Sequence, residues 1–174
     1  MAAAGKPELR SVAERALLLF EVSGRLCAFG LEAVKEIVPM AELARAPGLL
    51  PLLEGILNLR GRAVPVVRFA RLFDLPERDP GLYSHLIVMR GETHPVAFLV
   101  DRVLEIATVE ASELVPVQGP HGFNDCVVGQ ISRAECAVPV LSAGRVLLEQ
   151  ERRRLADLEA QHQRRLDGLD GGAP

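Results

Sequence analysis

Hydrophobic residues in this chain fall in short runs interrupted by glycine, proline and charge, a pattern of strands rather than long helices. ALLLFEV (16–22) and LCAFGL (26–31) flank Ser23–Gly24–Arg25, which predicts a β-hairpin. EAVKEI (32–37) breaks the alternation and reads as a short helical turn, with Val34 and Ile37 on one side. Residues 38–55 are rich in proline and read as a connecting loop with a helical turn around Leu52. ILNLRGRAVPVVRF (56–69) predicts a second hairpin turning at Arg60–Gly61, followed by a helical turn in ARLFDL. PERDPG (76–81) has the composition of a linker. SHLIVMR and HPVAFLV then form a hairpin, LEIATV a strand, residues 117–125 a loop, and VVGQIS and CAVPVL the last strands. From Gly144 the character becomes helical and ends in a glycine-rich tail.

Two segments recur. AVPV stands at 63–66 and again at 137–140, 74 residues on, while AFGLEAVKEI (28–37) matches AFLVDRVLEI (97–106), 69 residues on. Two blocks in the same order at nearly equal offsets indicate an internal duplication. A proline inside a strand also needs a place where no ladder bond is required, such as an edge or a corner. The expected fold is all-β: two small antiparallel barrels in tandem, the first over about 15–75 and the second over about 83–143, with 76–82 between them. Residues 1–14 are expected to be a flexible start, 144–168 a C-terminal helix and 169–174 a flexible tail. Leu148, Leu155, Leu158 and Leu166 give that helix only a partial apolar stripe, which predicts an appendage resting on a barrel or on a partner.

Composition narrows the function. The 174 residues are 49% hydrophobic and 25% charged, which suits a globular chain, and a net charge of −3 offers no basic field for nucleic acid. Tryptophan is absent and there is one tyrosine, so base-stacking platforms are scarce. No apolar stretch approaches the length of a membrane span, and no leader is evident, which predicts a cytoplasmic protein with no direct membrane insertion. Three cysteines, an odd number, agree with a reducing compartment.

The segment APGLLPLLEGILNLRGRAVPVVRFARLFDL (46–75), with AVKEIV before it and FLVDRVLEI after it, resembles the CheW family of bacterial chemotaxis adaptors through its G-x-x-N-L-R-G-x-x-V-P core. The likeness extends over about 15–150. It implies two five-stranded SH3-like barrels, no catalytic site and no cofactor. The implied partners are the cytoplasmic tip of a chemoreceptor and the regulatory domain of a CheA-type histidine kinase, in an array beneath the membrane. The implied receptor site is an apolar groove between the barrels, to which Val34, Gly55 and Arg60 correspond, with Leu86 and Ile87 on its second wall. Strand ends would supply the kinase contacts. Arg68–Phe69 replaces the family's Asp-Leu, reversing a charge. This makes Arg68 a kinase-interface candidate and raises an alternative: a divergent relative that binds receptors but has altered or lost kinase binding.

Blander readings accompany these. An arginine in a hairpin turn is ordinarily a solvated charge, and Val34 and Ile37 suit a core as well as a groove. Asp125–Cys126 near His121 could suggest a thiol nucleophile, the third and most distant class. His85, His94, His121 and His162 lack metal-ligand spacing, so no metal site is expected.

Overall fold

Three two-residue turns shape the hairpins: Ser23–Gly24 (φ 54° and 75°), Arg60–Gly61 (54° and 83°) and Ala134–Glu135 (46° and 62°). Paired left-handed residues form the turn whose twist suits antiparallel strands. In this computed structural model, which describes residues 13–45, 47–91, 94–117, 125–147 and 149–170, they join β1 (Glu14–Val22) to β2 (Arg25–Gly30), β4 (Leu53–Leu59) to β5 (Arg62–Arg68), and β9 (Val127–Arg133) to β10 (Cys136–Leu141). The remaining strands are β3 (Val34–Pro39), β6 (His85–Met89), β7 (Ala97–Val100) and β8 (Arg102–Glu110). The helices are α1 (Phe69–Leu72), α2 (Ala143–Val146) and α3 (Glu149–Asp170). Most of the start expected to be flexible, the end of the tail, Leu148 and His121 lie outside the described residues.

The helical turn expected over 32–37 is confined to a 3-10 turn at Leu31–Ala33, and Val34 opens strand β3. The β-branched Val34, Ile37 and Val38 fit a pleated surface, and pairing with β6 overrides their local spacing. Likewise Leu53–Gly55, read as loop, belong to β4.

The strands form two five-stranded mixed sheets, in the orders β8-β1-β2-β10-β9 and β3-β6-β7-β5-β4. These are the same order when β1–β5 are exchanged for β6–β10, so the duplication read from sequence is a structural one. The boundary between barrels is not where the linker suggested. The β1–β2 hairpin joins β8–β10 of the second half, and the β6–β7 hairpin joins β3–β5 of the first. Segment 76–82 therefore connects β5 to β6 inside one barrel, and the chain crosses between barrels at 31–33 and at Asp101. Each half has lent its opening hairpin to the other, producing the parallel pairs β2–β10 and β5–β7.

Closure of both barrels uses the same device. The chain leaving β3 reaches the opposite edge, where Ala44 bridges Ile56, and the chain leaving β8 does so where Val115 bridges Gln130. A glycine precedes each bridge. A Cβ on Gly55 would stand 2.7 Å from Leu43 Cβ, and one on Gly129 would stand 2.8 Å from Leu114 Cδ1. Only glycine admits the closing strand this closely.

Three apolar clusters result. Leu17, Leu19, Ala107, Ile131 and Val138 fill one barrel, and Leu57, Val64, Leu86, Val88 and Leu99 fill the other. The largest cluster lies between the barrels, where Phe20, Phe29, Phe69 and Phe98 stack and meet edge to face and Phe73 tilts against Phe69. The junction expected to be an open trough is the main core.

The prolines sit where pairing is one-sided. Pro65 opposes Ile56 of β4, while the parallel pairing with β7 begins only at Val66; Pro139 opposes Gln130, and pairing with β2 begins at Val140. Helix α3 rests on a barrel, one of the two placements its partial stripe predicts: it lies on β5, buries Leu155 and covers the edge where the parallel ladder has not yet begun.

Candidate docking site

The residues predicted to form a receptor groove are not gathered on one open surface. Val34 is only 5% exposed and belongs to the core between the barrels, with Leu53, Ile87 and Met89. Leu86 and Ile87 are neighbours on β6, so their side chains leave opposite faces: Leu86 enters the interior of one barrel and Ile87 the junction. Gly55 is buried beneath Leu43, so the backbone it admits is the chain's own. Sequence cannot separate a groove wall from a core position when both call for the same apolar residue.

Arg60 is placed differently. It occupies the first position of the β4–β5 turn, with its side chain 80% exposed, and its Nη2 lies 3.2 Å from Glu36 Oε2 on β3. The turn beneath it is held on both sides. Asn58 Oδ1 accepts the Gly61 N–H at 2.8 Å, an interaction within the N-L-R-G motif itself. From α3, Gln163 donates through Nε2 to the Gly61 carbonyl at 3.0 Å and accepts the Ala63 N–H on Oε1 at 2.8 Å. A single amide side chain thus completes the strand edge as another strand would. Neither Glu36 nor Gln163 was singled out from the sequence. Glu36 stands in the AVKEI repeat, whereas no local signal marks Gln163, 100 residues from the amide it holds.

Arg68, the kinase-interface candidate, points inward. It is 8% exposed, and its Nη1 lies 3.2 Å from Glu54 and 3.0 Å from Glu77, while Nη2 donates to the carbonyl of Arg78. Arg71 joins the same carboxylates at 3.3 and 2.9 Å, and Arg45 reaches Glu54 at 3.3 Å. The Arg71 guanidinium, hydrogen-bonded to Glu77, holds that carboxyl below its usual range. The network clamps the 76–78 segment and α1, through Arg71, onto β4 and β5. A charge reversed relative to the family pattern is answered inside the fold.

Cys126 has the wrong setting for a nucleophile. Its side chain is buried, and desolvation raises the thiol to about 11; Cys27, also buried, is raised to about 12. An activated cysteine needs the opposite shift. No cluster of histidine, cysteine or carboxylate side chains suited to a metal ion occurs among the described residues.

A CheW-like domain family model matches residues 16–151, across both barrels. The chain belongs to the CheW-like domain family. This CheW-like chain is 31% identical over 98 residues to the chemotaxis protein CheW of Thermotoga maritima, covering 56% of the chain and 64% of that protein. The match to the chemotaxis protein CheW of Bacillus subtilis is 28% over 120 residues, covering 68% of the chain and 77% of the relative. The scaffolding protein TtCheW of Thermoanaerobacter tengcongensis shares the fold, with a TM-score of 0.69 at 20% identity over 75% of this chain and 90% of that one. The SH3-like reading of the two sheets is thereby supported by a solved structure. Among the described residues no helix is long and apolar enough to cross a membrane.

Proposed function

We propose that this chain is a non-catalytic chemotaxis adaptor, coupling the cytoplasmic tips of methyl-accepting chemoreceptors to the regulatory domain of a CheA-type histidine kinase in a cytoplasmic array. The family match spanning both barrels carries the reading. On the receptor side the contact is the exposed Arg60 turn beside β3. Val34, Gly55, Leu86 and Ile87 act from beneath by fixing the strands that present it. A guanidinium at a rigid turn suits a carboxylate or a helix C-terminal carbonyl on the receptor. Glu36 occupies Arg60 until the receptor replaces it.

The alternative of lost kinase binding rested on Arg68. Because Glu54 and Glu77 neutralise that charge internally, retained coupling is the better-supported reading. The test is reconstitution: receptor-tip assemblies, the kinase and this chain together, with phosphorylation followed in time. Receptor-dependent stimulation by the chain is the expected result. Binding to receptor without stimulation would favour the alternative, and binding to neither partner would end the adaptor reading.

A further inference from the structure

The duplication provides an internal comparison. By the 74-residue offset, the Arg60–Gly61 turn and the edge of β5 correspond to the Ala134–Glu135 turn and the edge of β10, with identical register: Asn58 opposes Ala63 as Ser132 opposes Ala137, and Ile56 opposes Pro65 as Gln130 opposes Pro139. Both turns adopt the same left-handed pair. Yet Ala63 is completely buried under α3, while its counterpart Ala137 is exposed. The C-terminal helix breaks the pseudo-symmetry at the hairpin that carries Arg60. Leu155 anchors the helix in the junction core, and two turns further on Gln163 reaches the turn.

We infer that Gln163 is a positioning residue for partner recognition: its amide, bound to the Gly61 carbonyl and the Ala63 N–H, holds the Arg60 turn in the orientation that receives a receptor carboxylate. The inference rests on the proposed receptor role of Arg60. Without the clamp the left-handed Arg60–Gly61 pair keeps the Asn58 bond on one side and loses its restraint on the other. The guanidinium would then sample orientations away from β3, and ordering it again would weaken each docking event. The C-terminal helix thus becomes part of the recognition apparatus, acting through the backbone of a turn it does not belong to.

Three variants of the full chain test this against a receptor-tip fragment: Gln163→Ala, Arg60→Ala and the double variant. Gln163→Ala is expected to weaken receptor binding roughly fivefold, the value of a typical hydrogen bond, and the double variant should be no weaker than Arg60→Ala alone. A merely structural role would give additive losses. Gln163→Glu, which sets a carboxylate oxygen against the Gly61 carbonyl and the Asp167 carboxylate, should bind no better than Gln163→Ala. Amide hydrogen exchange at Ala63 should accelerate in Gln163→Ala with Leu155 still protected, which separates a loosened turn from a lost helix. Wild-type binding by Gln163→Ala alongside weak binding by Arg60→Ala would overturn the inference and leave the adaptor reading intact. If Arg60→Ala also binds as wild type, the receptor role of the turn fails first.

Discussion

Phe29 and Phe98, corresponding positions of the two halves of the chain, stack on each other with ring centroids 5.9 Å apart and planes inclined by 24°. Phe69 meets both rings edge to face. The duplicated halves thus share one core at the place where they are exchanged.

A single core predicts a single transition. Phe29→Ala and Phe98→Ala should each cost about 3–5 kcal/mol, the usual loss for a buried phenylalanine. Chemical denaturation followed by two probes, one in each barrel, should give coincident curves. Separate curves would show barrels that fold independently.

Arg68→Ala leaves Glu54 buried with less of its charge answered. With Arg71 and Arg45 still beside Glu54, the expected loss is about 1–3 kcal/mol, the range for leaving one buried hydrogen-bond partner unanswered. Affinity of the folded fraction for the kinase regulatory domain should stay unchanged. A stable variant with weakened kinase affinity would return Arg68 to the interface.

Removing residues 149–174 uncovers Ala63 and the edge of β5 and deletes the buried Leu155. A loss of about 1–2 kcal/mol would lower Tm by about 2–8 °C in a domain of this size. Retention of the full-length Tm would make the helix the appendage expected from its sparse leucines.

Val34→Asp places a carboxylate in the junction core, and loss of folding is the expected outcome, since an unpaired buried charge has no compensating bond. Glu36→Gln should leave the melting curve in place and tighten receptor binding by releasing Arg60. Circular dichroism melts beside a receptor-tip titration distinguish the two effects. A folded Val34→Asp that fails to bind would restore the groove.

The buried thiols add an alkaline limit. Their folded values of about 12 for Cys27 and about 11 for Cys126 both exceed the ordinary 9.0 of an unfolded chain. Raised values stabilise the native state fully below pH 9, and this contribution is lost as pH rises toward 11 and 12. The slope is about 1.4 kcal/mol per pH unit per thiol. Cys27→Ala should flatten the stability profile between pH 9 and 12. An unchanged profile would mean that burial does not hold these groups neutral.

The hairpins, their turns and the duplication were legible in the sequence because each depends on neighbours within a few residues: Ser23–Gly24 and Arg60–Gly61 carry their turn geometry locally, and AVPV repeats letter for letter. The family likeness was legible for the same reason, in a contiguous motif. Which hairpin joins which barrel was decided only in three dimensions, since the exchange of β1–β2 for β6–β7 alters long-range pairing without altering either half's pattern. Arg68 shows the limit most plainly. Its charge departs from the motif, but the carboxylates that answer it come from β4 and from the segment after α1, and only the packed fold brings them within 3.2 Å. Gln163 and Ala63 likewise meet across 100 residues because the strand edge left open before Pro65 needs a donor and an acceptor, and the docked helix supplies both.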